Sequence, residues 1–525
     1  MNKPLELSEN TDDLRNLVMN LSREIKQLES KVSYYEEYIN LLLHKRFGAN
    51  SEKYRAEQAD LFNEAEVCAE EFPEQEAVVD VEENELSAPV VTASERKRVA
   101  GRQALPTQLP RLDIIHELPE LERFCTEGHP LKAMGTEVSE QLDIIPAKIQ
   151  VLRHIRVKYA CPCCQGSVKI ALLPAQPIPK SNASPGLLAY VSTSKFLDAL
   201  PLYRQSKQFE RIGVSIPRAT LASWMIRSGE LAQPLINLMQ DQLKQFPFLQ
   251  MDETTVQVLK EEGRSASSQS YIWVRRGGPP DQPVVLFDYA ATRSQAVADQ
   301  LLQGFTGALQ TDGYAGYAGI CVKHKLQHAG CWAHVRRKFD EALKAQGVKG
   351  NAGKASKALT LIQKLYRVEI LIKDQSPEEK RGVRQEKSLP ILNELKIWLD
   401  TSLAQVTPTS LTGKALHYMA NQWSTLTVYC ENGRVAIDNN AIERAIRPFV
   451  IGRNNWIFSD TVKGVKASAN LYSLIETAKL NGLEPYRYLR HVFTELPKAT
   501  SIDEIEALLP WAVNKDIIND GWYRA

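Results

Sequence analysis

The sequence predicts a multidomain α+β protein, with small units strung ahead of an α/β core that is interrupted by a helical insertion. Three observations carry this. The chain has 525 residues, enough for three or four folded units at about 100–200 residues each. An unbroken heptad seam near the N-terminus is followed by an acidic tract without cations, which separates the first element from the rest. From residue 246 three strand-like runs precede a helical run and a fourth strand, the order of an α/β core. Hydrophobic residues make 43% and charged residues 24% of the chain, a globular composition. No run of 18 uncharged apolar residues marks a membrane span, and acids occupy the place of a signal peptide's apolar stretch. A cytoplasmic protein without a membrane partner is expected.

The apolar residues Leu14, Val18, Leu21, Ile25, Leu28, Val32, Tyr35, Ile39 and Leu42 fall at alternating steps of four and three, with Arg23, Glu24, Lys26, Glu36 and Glu37 between them. A helix so patterned has one apolar seam. Residues 10–45 are expected to bury it against a second copy as a coiled coil, giving a homo-oligomer; packing on the helix's own chain is the alternative. Residues 46–98 follow as an acidic flexible linker, since twelve acids and no Lys or Arg lie between Glu57 and Glu85 and such a block repels itself. Residues 1–85 carry a net −12 and the remainder +13. A body with that cation excess can hold a polyanion by releasing counterions, which makes nucleic acid a candidate partner.

Residues 99–172 alternate apolar and polar residues in runs such as IQVLRHIRVKYA and SVKIALL, a small antiparallel β unit. Cys161 and Cys164 form a C-x2-C knuckle on it, with Cys125 and His129 upstream. Either the four hold one structural Zn²⁺ as a zinc ribbon or the cysteines are buried thiols. Residues 173–245 read as a helical domain. Its last two helices, PLYRQSKQFERIG and SIPRATLASWMIRSGELAQ, mimic a helix-turn-helix, with Gly213 at the turn, Ser215 and Pro217 opening the second helix, and Arg218, Thr220 and Arg227 available to a DNA groove. Any three-helix bundle with a glycine turn has the same signature.

The run from Phe246 to Val258 is a strand by composition, with Asp252 in its middle. YIWVRR and VVLFDYA are two more strands, TRSQAVADQLLQGF a helix, and GALQTDGYAGY a fourth strand that sets Asp312 before Gly313. This is the opening of a ribonuclease-H-like fold, in which acids on the first and fourth strands lie side by side and offer hard oxygens to Mg²⁺. Singly, each aspartate reads as a strand-end or turn residue; their matching positions in one topology favour a site. Glu443 is chosen as the third acid, in a helix opened by Asp438, with Asn439 and Asn440 on its face and Glu431 as a rival. Arg444, Arg447 and Arg453 supply cations beside a phosphate. The interval between Asp312 and Glu443 exceeds one crossover. Residues 246–345 are therefore the first part of the catalytic core, 346–430 a helical insertion, 431–485 the second part of the core and 486–525 a helical tail. HKLQHAGCWAHVRRKFDEAL gives the core its fifth strand and a basic helix with His334, Arg336 and Arg337. His328, Cys331 and His334 stand three apart, but a strand running into a helix cannot aim all three one way. His334 is accordingly read as a phosphate or substrate contact or a buried histidine.

The segments DETT at 252, TDGYAGY at 311, GCWAHVRRKF at 330 and DNNAIERAIRPFVIGRNNWIF at 438, then YSLIETAKLNGLEPYRYL, follow the zipper, RFGANSEK and the helix-turn-helix region in order. Over nearly the whole chain they resemble the insertion-sequence 66 family of bacterial DDE transposases. The resemblance implies a metal-dependent polynucleotidyl transferase with Asp252, Asp312 and Glu443 as catalytic triad and two Mg²⁺ or Mn²⁺ per site. It implies transposon-end and target DNA as partners, accessory proteins of the same element, and a bacterial cytoplasmic location at the nucleoid when DNA is bound. In one departure from the family, Cys125 alone remains of an upstream C-x2-C pair, within Phe-Cys-Thr-Glu-Gly-His. A ribonuclease-H-like nuclease or junction resolvase would share the fold and metals without needing the zipper or insertion. A non-catalytic DNA-binding regulator would use those modules without needing three acids.

Overall fold

The computed structural model describes residues 11–47, 149–159, 169–170, 172–314, 316–346 and 353–520. The chain divides into two compact units, residues 75–173 and residues 1–74 with 174–525. In the smaller unit Lys158–Tyr159 (β1) pairs antiparallel with Lys169–Ile170 (β2), in the register Lys158↔Ile170. Cys125, His129, Cys161 and Cys164 lie outside the described residues, as does the expected linker beyond Phe47.

In the larger unit the heptad segment is one helix, α1 (Thr11–Phe47). Its seam residues Val18, Leu21, Ile25, Leu28, Val32, Tyr35, Ile39 and Leu42 are all exposed. On another side α1 meets its own chain, where Glu37 Oε2 accepts the backbone N–H of Leu411 at 2.9 Å. No described helix is long and apolar enough to cross a membrane.

Four helices precede the sheet: α2 (Pro185–Phe196), α3 (Leu202–Arg211), α4 (Arg218–Leu231) and α5 (Gln233–Gln245). Ser184 opens α2 by accepting the Leu187 N–H. Gly213, at φ 85°, reverses the chain between α3 and α4 in a conformation that side chains disfavour. Of the residues expected to open α4, Pro217 holds the N-cap position, and the helix starts at Arg218.

The sheet then forms as a meander of β3 (Phe248–Lys260), β4 (Gln269–Gly277) and β5 (Val284–Ala290), followed by α6 (Gln295–Leu301), β6 (Ala308–Gln310), α7 (Gly316–His324) and β7 (Gln327–Ala329). The spatial order is β5-β4-β3-β6-β7. The first three strands are antiparallel, whereas β6 runs parallel to β3 and β7 parallel to β6. A short strand, β8 (Ser459–Thr461), extends the far end of β3. The expected fourth strand is shorter than its sequence suggested. Asp312 lies just beyond it, because its Oδ1 accepts the Tyr314 N–H at 3.0 Å and turns the chain.

After β7 come α8 (Trp332–Gln346) and the insertion, which is helical in its described part: α9 (Lys354–Leu371), α10 (Pro377–Val383), a π-helical turn at Arg384–Ser388, α11 (Leu389–Leu403) and α12 (Leu411–Leu426). The chain returns to the sheet as α13 (Asn440–Trp456) and α14 (Val462–Leu480), and ends in α15 (Pro485–Glu495), α16 (Ile502–Glu506) and α17 (Lys515–Asp520). Two apolar cores result. One joins α2–α5, the antiparallel strands and α13–α15 through Phe196, Trp224, Trp273, Phe287 and Leu474. The other joins the β6–β7 end to the insertion through Trp332, Phe339, Tyr366, Met419 and Ile437.

Strand β5 is a sheet edge, and α14 satisfies its backbone. The Val285 N–H donates to Thr477 Oγ1, whose hydroxyl donates back to Val285 O, both at 3.0 Å. The Phe287 N–H donates to Ser473 Oγ at 2.8 Å. A helix thus covers an edge that would otherwise invite another strand.

Candidate active site

Two aspartates are brought together by strand register. Gln250 of β3 is paired with Gln310 of β6 in the parallel ladder. Asp312 stands two residues beyond Gln310, in the turn that follows β6, and Asp252 stands two residues beyond Gln250 along β3, on its glutamine's face. The glutamines show that this face is shared, since Gln250 Nε2 donates to Gln310 Oε1 at 2.8 Å. The same pair holds the approach to α13. Gln310 Nε2 donates to the carbonyls of Ala436, at 2.8 Å, and Gly330, at 3.0 Å; Gln250 Nε2 reaches Asp438 O at 3.2 Å. Buried Arg384 grips the same segment through the carbonyls of Tyr429 and Val435, while Glu369 neutralises its charge. This bracket sets Glu443, in the first turn of α13, within the electrostatic reach of Asp252.

Burial pushes the Asp252 carboxyl well above the usual carboxylate range, and the charges of Glu253, Asp312 and Glu443 push it further. The Glu253 N–H, donating to Asp252 Oδ1 at 2.8 Å, works the other way. Burial also raises Glu253, against hydrogen bonds from Tyr317 and Arg293. Arg293 Nη2 lies 3.9 Å from Asp312 Oδ2. Around Glu443, Arg337 Nη2 is 3.3 Å from Oε2 and His334 Nε2 is 3.6 Å from Oε1. Burial lowers the His334 pKa, assisted by Arg337 and Lys338 and opposed by Glu443 and Asp312. Part-buried carboxylates gathered around Asp252, whose neutral form they favour, make a donor set suited to a hard divalent cation.

Arg218 and Arg227 are exposed on α4, and Arg337 is exposed on α8. Arg336, Arg444 and Arg447 are partly buried on α8 and α13. Arg453 is engaged with the sheet, where its Nη1 donates to Thr254 Oγ1 at 3.0 Å and Thr255 Oγ1 at 2.9 Å. Asp438 is not the N-cap of α13, a position held by Asn439. Its carboxylate instead accepts from the Asn440 backbone (3.1 Å) and side chain (2.9 Å) and from Tyr366 OH (2.7 Å). Those bonds occupy both its oxygens inside the protein. The rival Glu431 is exposed and faces Gln327 Nε2 at 3.4 Å. His328 bonds Thr311 Oγ1 at 2.9 Å, away from Cys331 and His334, which instead converge on Glu443. The glutamine pair escaped the sequence reading although a signal exists: Gln250-Met251-Asp252 and Gln310-Thr311-Asp312 repeat one Gln-x-Asp pattern.

The domain built around these acids is of the DDE transposase class: residues 180–467 match the transposase IS66 family model. Residues 473–511 match the IS66 C-terminal element, 122–165 the zinc-finger binding domain of transposase IS66, and 34–114 a model described as transposase C of IS166 homeodomain. The chain is 33% identical over 436 residues to the uncharacterized protein y4jD of Sinorhizobium fredii, covering 79% of this chain and 84% of that one. To y4qI of the same organism it is 30% identical over 508 residues, covering 94% and 91%. The chain belongs to the IS66 family of transposases.

Proposed function

We propose that the protein binds the ends of an insertion sequence, cleaves them to free 3′-OH groups and joins those ends to target DNA, with Asp252, Asp312 and Glu443 as catalytic triad. The observation that carries this is the pairing of Gln250 with Gln310, which sets Asp252 and Asp312 at equivalent positions two residues further on and ties both strands to the segment that leads into α13 and Glu443. The strand order β5-β4-β3-β6-β7, three antiparallel then two parallel, supports a ribonuclease-H-like core. The buried oxygen Glu443 Oε1, which has no hydrogen-bond partner, fits a cation ligand.

Asp252, Asp312 and Glu443 would hold Mg²⁺ or Mn²⁺, two per site. Bound there, such ions would supply Lewis-acid polarisation of the scissile phosphodiester and of the attacking hydroxyl group. The chain's own part is to orient. Register fixes the two aspartates, and the glutamine bracket fixes Glu443. Arg337 and His334 face its two oxygens. Arg293, bound to Glu253, stands by Asp312 and tempers the negative charge. The exposed Arg218 and Arg227 on α4, together with His334, Arg336, Arg337, Arg444 and Arg447, line surfaces for phosphate. Arg453 backs β3. The exposed seam of α1 is the surface through which copies of the chain assemble as a coiled coil. The zinc-finger match over residues 122–165 supports one structural zinc, which Cys125, His129, Cys161 and Cys164 would hold, and accessory proteins of the same element would be further partners.

The test is end cleavage and strand transfer by Asp252→Asn, Asp312→Asn and Glu443→Gln. Each is expected to lose activity about a hundredfold to a thousandfold or more, because a Lewis-acid contribution of several kcal/mol disappears. End-DNA binding should persist, since the phosphate-contacting cations remain. Full cleavage by Glu443→Gln would remove it from the triad. Cleavage without joining would point to a nuclease or resolvase, and specific binding without either reaction to a regulator.

A further inference from the structure

Beside the proposed triad lies a cluster of different chemistry. Cys331 precedes α8, His334 lies in its first turn, and one ligand atom from each, with one from Glu443, falls within 4.8 Å of the other two. Cys331 is 3% exposed, and the Glu443 side chain 9%. Around this thiol three buried polar atoms have no hydrogen-bond partner: Glu443 Oε1, His334 Nδ1 and Asn439 Nδ2. Native interiors leave few such atoms, and several round one thiol call for an explanation.

We infer that Cys331, His334 and Glu443 form a binding site for a borderline transition-metal ion of the Zn²⁺ or Co²⁺ class, one that takes Glu443 away from the hard cation of catalysis. Thiolate and imidazole select such ions over Mg²⁺. Donors about 2.0–2.3 Å from a tetrahedral ion stand roughly 3.3–3.8 Å apart, so the cluster needs to contract by only about an ångström. Arg337 occupies the other oxygen, Oε2, at 3.3 Å, which leaves Oε1 for the ion. On binding, the Cys331 thiol proton leaves to solvent and the sulfur–metal bond replaces it.

Asn439 touches the sulfur twice and can serve either state of it. Its backbone N–H donates to Cys331 Sγ at 3.4 Å, and in the metal-free thiol the Cys331 S–H donates to its Oδ1 at 2.9 Å. Exchanging the amide oxygen and nitrogen would point the orphaned Nδ2–H at the sulfur, as a thiolate requires and a thiol does not. Outer-shell donors of this kind orient metal ligands and tune their affinity.

The existence of the site is independent of the proposed function; competition with Mg²⁺ rests on Glu443 belonging to the triad. Co²⁺ titration of the full-length metal-free chain, followed by optical absorption, separates the two. In Cys161→Ser, which disables the upstream knuckle, one Co²⁺ per chain should bind with a thiolate charge-transfer band and the intense visible bands of low coordination. Adding Cys331→Ser should abolish both, and adding His334→Asn, which keeps the thiol, should weaken binding at least about tenfold. Thermal unfolding establishes that each variant is folded. Absence of the bands in folded Cys161→Ser, or their survival in Cys161→Ser with Cys331→Ser, overturns the site. The second arm adds Zn²⁺ to Mg²⁺-supported end cleavage, with each rate divided by the same variant's rate without Zn²⁺. Half-inhibition should need at least about tenfold more Zn²⁺ in Cys331→Ser than in the parent, as expected when one of three protein ligands is lost. Co²⁺ binding without Zn²⁺ inhibition overturns the competition. A parent chain that fails to cleave in Mg²⁺ alone counts against the proposed function, and the optical titration then still decides the site.

Discussion

Replacing Gln310 by Met would test the bracket that joins the two halves of the site. The substitution keeps the length and approximate volume of a fully buried side chain. It removes the donors to Gly330 O and Ala436 O and the acceptor for Gln250. The buried Gly330 carbonyl and the part-buried Ala436 carbonyl then lose this partner, and Gln250 Nε2 keeps only Asp438 O at 3.2 Å. At about 1–3 kcal/mol per orphaned buried group, with some relaxation, the loss should be about 3–5 kcal/mol, at the upper end for single substitutions. Urea unfolding followed by tryptophan fluorescence measures it, with tryptophans in both cores reporting. A parallel Gln250→Met variant and the double variant complete a cycle, in which coupling of about 1 kcal/mol or more is expected because the side chains share a bond. End cleavage should fall beyond the loss of folded protein, since displacing Glu443 by about an ångström costs roughly a hundredfold. A shift below about 1 kcal/mol, or a strictly additive cycle, would refute the bracket and leave the glutamines as space-fillers.

Thr477→Val strips the hydroxyl that both accepts from and donates to Val285 at the β5 edge. Stability should fall by about 2–4 kcal/mol in chemical unfolding; an unchanged midpoint would mean that water serves this edge as well as α14 does. Lys195 places Nζ 3.8 Å from the Trp456 ring centroid, and burial pulls its pKa down from 10.5 to about 7. Between those values the unfolded chain holds a proton that the folded chain lacks. Stability should therefore rise with pH across that window, by less than about 1.4 kcal/mol per unit because the side chain keeps partial contact with solvent. Lys195→Met should accordingly be more stable than the parent near pH 7, with the gap closing towards about pH 10. A gap that stays constant with pH would assign the difference to packing.

Segments whose pattern is local were legible in the sequence. VVLFDYA is β5 residue for residue, because a strand covered on both faces reads as one apolar run. The seam of α1 was legible for the opposite reason, as an amphipathic pattern awaiting a partner. Strands β6 and β7 have three residues each, too few to show a period, and α7 went unpredicted because its sequence GYAGICVKH opens with two glycines around a tyrosine and an alanine. The aspartates could be found because two strands of known order bring equivalent positions together. Glu443 could be chosen only by its polar company, since what fixes it are buried side chains from three other segments: Gln250, Gln310 and Arg384. The metal-like spacing of His328, Cys331 and His334 shows the limit most sharply. A rule applied within one stretch of chain rightly denies that all three converge, yet it cannot know that two of them meet a carboxylate from another helix. Cys331 and His334 are three apart where α8 begins, a spacing that puts side chains on one face. Which group that face meets is decided by how α13 returns to the sheet, and that information is carried by packing rather than by spacing.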